Sequence, residues 1–262
     1  MAIALPERAA ARGAGPADPI DRAQAPLALR LPGGAASASG ILIGSVPGWA
    51  APRQLTLAVL VRPAAGLAST ARLLARDSGG TTGWTWRYTS TTGQALEWVR
   101  RYTNGSTNAA STWRAAGPEP RAGEWWWWVL AVDEDLPPAT RVQVYGARLG
   151  SRLRPYTMTP PGTAPLPELP STAPALRIAS DSVGGVTGFA GDLAFVGIWP
   201  ARLGEATLHA LVADPRPLRA GALGWWRPGR GGPTRLLDER GGASGGEGAP
   251  LDGTVTGGRP CA

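Results

Sequence analysis

Between Leu55 and Val61 every second residue is a bulky aliphatic (Leu55, Leu57, Val59, Val61), and Pro63 ends the run. A period of two is the mark of a strand that turns one face to a core. Shorter runs of the same kind recur at residues 27–31, 72–75, 84–88, 95–102, 112–115, 125–132, 141–147 and 176–179. Clusters of Gly, Asn, Ser, Thr and Pro lie between them and read as turns. So many short strands at this spacing predict a sandwich or jelly roll. Only residues 204–213 switch to helical spacing, with Leu208, Leu211 and Val212 on one face and Asp214-Pro215 as a stop.

The last strand, residues 189–199, is the most specific. On an extended chain residues 189, 191, 193, 195, 197 and 199 share a face, and Phe189, Leu193, Phe195 and Trp199 make that face apolar. The order Phe189-x-Gly191-x-Leu193-x-x-Val196-x-Ile198-Trp199, followed by Ala201-Arg202-Leu203-Gly204-Glu205-Ala206, resembles the closing strand and helix of laminin-G-like domains of the concanavalin A type. The resemblance implies an all-β jelly-roll sandwich over residues 27–215 with one short C-terminal helix. Residues 1–26, rich in Ala, Arg and Pro without period, read as an extended N-terminal arm, and residues 216–262 as a Gly-rich C-terminal extension that packs back through Trp225 and Trp226. Residues 149–174 carry seven prolines between Pro155 and Pro174 and read as one long loop. The tail adds a second likeness. Leu211-Val212-Ala213-Asp214-Pro215, then Trp225-Trp226 and the Asp252–Gly257 segment, is similar to structural proteins of tailed bacteriophages and phage-derived particles.

Composition narrows the possibilities. All 26 basic residues are arginine and the net charge is +7, but the arginines are scattered instead of gathered on one helix, which argues against nucleic acid as the partner. The single cysteine, Cys261, excludes an intrachain disulfide framework, so the fold depends on its core. The opening apolar run is broken by charge at Glu7, too short for a signal-peptide core, and no stretch reaches the roughly 20 apolar residues of a membrane span.

The aromatic residues are the candidate sites. In Trp125-Trp126-Trp127-Trp128, alternate rings face opposite ways, so one pair belongs to the core and the other to solvent, a second sheet or a partner. An exposed pair would suit the C–H face of a sugar. Trp84, Trp86 and Tyr88 form a second ladder that pairs with Trp98 or Tyr102, either as core or as a binding face. Asn104 and Asn108, in the hairpin loop of residues 103–108, complete the candidate glycan or partner contacts.

No catalytic residues are expected. A jelly-roll glycosidase needs two carboxylates facing each other across the scissile bond, whereas Glu97 stands alone and His209 has no Ser or Cys elbow to serve. No cofactor is implied. Calcium, which relatives of the resembled family bind at the rim, has Asp77, Asp133, Asp135, Asp181 and Asp192 as its nearest candidate ligands. Ala194 and Phe195, however, stand where many relatives carry an acidic pair. The expectation is a non-enzymatic virion structural protein: a capsid decoration, head fibre or tail component, made in the host cytoplasm and displayed on the virion surface. Its partners would be other virion proteins or copies of itself, with cell-surface polysaccharide as a further contact. A lectin-like adhesion module outside any virion is the alternative, and a glycan-cleaving enzyme the third reading.

Overall fold

The computed structural model describes residues 28–35, 40–43, 53–67, 70–77, 83–89, 95–103, 108–117, 120–162, 175–179, 187–228, 235–238, 253–256 and 259–260. The first strands are β1 (Leu29–Ala35), β2 (Gly40–Ile43), β3 (Gln54–Pro63), β4 (Thr70–Asp77), β5 (Gly83–Thr89), β6 (Ala95–Thr103), β7 (Asn108–Ala116) and β8 (Trp126–Asp133). One helical turn, α1 (Pro138–Arg141), precedes β9 (Val142–Arg148), β10 (Arg154–Pro155), β11 (Thr157–Thr159), β12 (Leu176–Ile178) and β13 (Thr187–Trp199). Then come α2 (Glu205–Ala213), a 3-10 turn (Arg216–Gly221), β14 (Gly224–Pro228), β15 (Arg235–Asp238), β16 (Gly253–Thr256) and β17 (Arg259–Pro260). Among the described residues no helix is long and apolar enough to cross a membrane.

The strands form two facing sheets. One runs β10, β9, β8, β3, β13, with β1 and β14 lying end to end along the far side of β13. The other runs β11, β7, β6, β5, β4, β12, β2. Neighbours are antiparallel throughout these two runs, as local hairpin connections favour.

Both open sides are closed by backbone pairing. On one side the ladder passes from β14 through β15 and β16 to β2. On the other, the segment Arg154 to Thr159 pairs first with β9 and then with β7. Unpaired edges invite association with other chains, and this closure covers those of β14, β2, β9 and β7. Residues 224–260 therefore supply strands to the sheets, and the extension expected from 216 onward is part of the jelly-roll ladder. The loop expected over residues 149–174 likewise contains β10 and β11.

Two hydrophobic cores result. Between the sheets lie Leu57, Val59, Trp86, Trp98, Trp128 and Phe189 with Val144, Ile198 and Trp226. Outside the first sheet, a second core of Leu60, Trp127, Phe195, Trp199 and Trp225 is covered by Leu208, Leu211 and Val212 of α2. The three helix positions expected from sequence are the ones that face this core.

β13 serves both cores, which the simple alternation did not foresee. Leu193 pairs with Val61 and Phe195 with Leu60, so Ala194 is an extra residue, a β-bulge. Up to the bulge Phe189 and Leu193 face the inter-sheet core. Beyond it Val196 and Ile198 take over that role, while Phe195 and Trp199 turn outward to the helix. The single apolar face expected for residues 189–199 is thus split in two.

Tyr156 latches the second closure. Its amide donates to the Val144 carbonyl at 2.8 Å, and its side chain is buried against two glycines. A Cβ at Gly146 would lie 2.2 Å from the phenol oxygen, and one at Gly117 would lie 2.4 Å from the ring. Gly146→Ala is expected to destabilise by about 1–3 kcal/mol through overpacking, and Tyr156→Ala by about 3–5 kcal/mol, both measured by urea unfolding.

Burial also pushes the Tyr156 phenol up to about 12, against a smaller opposite pull from Trp128. Between pH 10 and 12 the unfolded chain loses a proton that the folded chain keeps, so stability falls as pH rises through this window. The expected loss is roughly 2 kcal/mol. Unfolding curves measured across these pH values should show it, and Tyr156→Phe should flatten the slope.

Candidate binding face

The register decides where each candidate aromatic residue points. Trp126 and Trp128 face the inter-sheet core and Trp127 the outer core, with exposures of 7%, 0% and 1%. Trp84, Trp86 and Tyr88 are buried between the sheets, and Trp84 stacks on Trp98 with ring centres 5.1 Å apart. Tyr88 lies parallel to Trp128 at 6.3 Å, and Phe189 meets Trp128 edge-on at 6.4 Å. None of these six rings offers a face to a sugar, because the strands carrying them sit under a core on the side each ring occupies. Of the two readings the sequence left open for them, core packing or a stacking platform, their burial supports core packing. Asn104 lies outside the described residues, and Asn108 is described only as the start of β7, paired with Thr103.

Trp125 alone of the tryptophan run is half-buried. It precedes β8 at the border of the outer core, where its carbonyl accepts the Leu149 amide at 2.8 Å. Arg62 covers one face of its ring, with the guanidinium carbon 5.1 Å from the ring centre, a cation–π contact. Trp125 therefore supports a cation on this face.

The same cation belongs to a row that crosses three strands. Pairing of β1 with β13 sets Arg30 beside Asp192, and pairing of β13 with β3 sets Asp192 beside Arg62. Arg62 Nε donates to Asp192 Oδ2 at 2.6 Å; Arg30 donates through Nε to Oδ1 and through Nη2 to Oδ2, the latter at 3.3 Å. Asp192 keeps only 3% of its side-chain surface, whereas Arg30 keeps 50% and Arg62 32%. Gly191 lets the strands close here: its φ is +144° and a Cβ would lie 2.3 Å from the Arg62 carbonyl oxygen. Arg148 on β9 is ion-paired to Glu124 at 3.4 Å, but it pairs in register with Trp126 and so lies on the other side of the sheet from Arg62.

The second sheet repeats the device on its own outer face. Glu97 on β6 lies between Arg87 on β5, at 2.7 Å, and Arg114 on β7, at 2.9 Å. Its carboxylate is 97% enclosed by this pairing, with 3% exposure.

The other acids are similarly engaged. Asp133 accepts from Gln54 at 3.2 Å and from the Asp135 amide at 3.0 Å, and Asp135 is paired with Arg53, which holds its carboxyl below the usual range. Asp181 and the Asp77 side chain lie outside the described set. Asp133, Asp135 and Asp192, three of the candidate calcium ligands, thus point into separate contacts, and among the described residues no three His, Cys, Asp or Glu side chains gather as a metal site. His209 faces Glu205 one turn away at 3.5 Å on α2.

No sequence signal marked the two arginine–acid–arginine rows. Their members are 10 to 162 residues apart in sequence, and only strand register brings them together.

The architecture is that of known proteins. It is an all-β jelly-roll sandwich. A putative carbohydrate-binding protein from Bacteroides ovatus superposes with a TM-score of 0.52 at 14% identity, over 89% of this chain and 62% of that one. The LG4-5 domains of the mouse laminin alpha1 chain give 0.39 at 12% identity, over 66% of this chain and 40% of theirs. Tailspike protein 2 of an Escherichia coli bacteriophage gives 0.46 at 14% identity, over 71% of this chain and 25% of that one. At such identities the likeness concerns the fold. No protein-family model matches the sequence, and no curated protein matches it.

Asp192→Ala should cost more stability than Arg30→Ala, because it leaves two guanidiniums without their shared acceptor. With partly exposed partners we expect about 1–3 kcal/mol for Asp192→Ala and less than about 1 kcal/mol for Arg30→Ala. Paired urea-unfolding curves measure both.

Proposed function

We propose that this chain is a non-enzymatic recognition module, displayed on the surface of a phage or phage-derived particle as one of its structural proteins and contacting cell-surface polysaccharide. The observation that carries the binding role is the row Arg30, Asp192, Arg62 with Trp125 beneath it, a fixed set of hydrogen-bond donors on an otherwise closed sandwich. Planar guanidiniums held in one orientation suit the oxygens of a saccharide, since little freedom is lost when they are engaged. Engagement of Glu97 by two arginines supports a non-catalytic reading, because a carboxylate pinned this way is poorly placed to donate or accept a proton.

The particle role draws on the phage-like order of residues 211–215, 225–226 and 252–257. Trp225 and Trp226 from that pattern belong to the outer and inter-sheet cores, so the pattern is one of architecture. Residues 1–26 would anchor the module and the jelly roll would be presented outward. Deleting residues 1–26 is expected to abolish incorporation into particles purified from the producing cells while leaving binding on a glycan array intact. Full occupancy of the truncated protein would overturn the anchoring role. Recovery of the full chain only in particle-free fractions would favour the free-standing lectin-like module.

A further inference from the structure

We propose, building on the binding role above, that the ligand is an acidic polysaccharide whose carboxylates are taken by the terminal Nη groups of Arg62, with Arg30 beside it. Three observations lead there. First, Arg62 uses only Nε for Asp192, and its Nη atoms make no hydrogen bond among the described residues, which leaves the forked donors that match a carboxylate bidentately. Second, the guanidinium is already fixed, from one side by the buried Asp192 and from below by the Trp125 ring. Such preorganisation reduces the ordering cost of binding. Third, the described surface beside Arg62 offers charge: among the described residues Leu42 is the one exposed large hydrophobic side chain, and Trp125 is covered on one face by Arg62 itself. At this site affinity would come from charge and hydrogen bonds.

The local charges agree. Arg30 and Arg62 stand together around one acid, Asp192, which is 3% exposed. An approaching polymer therefore meets guanidiniums before it meets a carboxylate. An exposed ion pair is weak singly, so a repeating polyanion and a module displayed in many copies would act together through avidity.

The test uses the full chain with polygalacturonate, the same polymer after reduction of its carboxyl groups, and dextran. Binding to polygalacturonate is expected, weakening as salt rises from about 50 to about 200 mM and falling at least about tenfold for the reduced polymer. Arg62→Gln should lose about tenfold, and Arg62→Lys, which keeps charge without the fork, should also weaken binding. Arg114→Gln on the other sheet should leave it unchanged; thermal unfolding checks that all variants are folded. Equal binding of the native and reduced polymers would overturn the acidic class while leaving a glycan-binding role. Equal losses from Arg62→Gln and Arg114→Gln would overturn the site. Failure to bind any of the three polymers would overturn the inference, and a blank glycan array alongside it would overturn the binding role itself.

Discussion

The structure depends on burying both faces of its central strands. In an antiparallel sandwich one face of each sheet ordinarily meets water. Here β3, β8 and β13 are covered on both sides: Leu57, Trp128 and Ile198 face the other sheet, while Leu60, Trp127 and Phe195 face α2. Trp127 and Trp128, adjacent in sequence, are thus the centres of two different cores. A large indole buries on the order of 150–250 Å², and few other ways exist to fill both sides of one strand with so few residues. The helix follows from this requirement. Without α2 and Trp225 the outer rings would lie open, and the Phe195–Trp225 contact, edge-on at 4.8 Å, would have no partner.

Service to two cores also explains the irregularities in the ladder. A strict alternation on β13 would send Phe189, Leu193, Phe195 and Trp199 to one side and leave the helix facing smaller residues. The extra residue at Ala194 reverses the parity midway, so both cores receive large side chains from one continuous strand. Closure imposes a similar local cost at Tyr156, where Gly146 and Gly117 give up side chains so that the ring can enter between β9 and the end of β7. Neither glycine needs an unusual backbone for this; what each supplies is space.

These features set the limit of what the sequence disclosed. Local periodicity located β3, β5, β6, β8 and the helix, and the motif of residues 189–203 identified the fold. Strands β2, β10, β11 and β14 to β17 escaped notice because they are short and depend on pairing partners distant in the chain. The parity of the tryptophan run was undecidable for a related reason: a sheet between two cores has no polar face to set the register against. The arginine rows were invisible because charge on alternate strand positions looks the same whether the side chain is solvated or braced by an acid from another strand.

The outer face of the first sheet is divided by the same packing. At the end of β13 nearest the helix, α2 and Trp225 cover it. Toward the other end the cover stops at Trp125, and the next positions on the neighbouring strands are Arg62, Asp192 and Arg30. A carboxylate buried to 3% at such a border would be costly alone, and the two guanidiniums offset that cost while keeping much of their own surface in water. The result differs from a mobile surface arginine: each side chain is held by a group that the strand register has already placed. The second sheet arrives at the same arrangement with Glu97, Arg87 and Arg114, so a chain whose basic residues are all arginine uses them as ordered parts of its surface. What separates the two rows is the aromatic support, since Trp125 lies under Arg62, and that support makes the first row the better-defined place for a partner to meet.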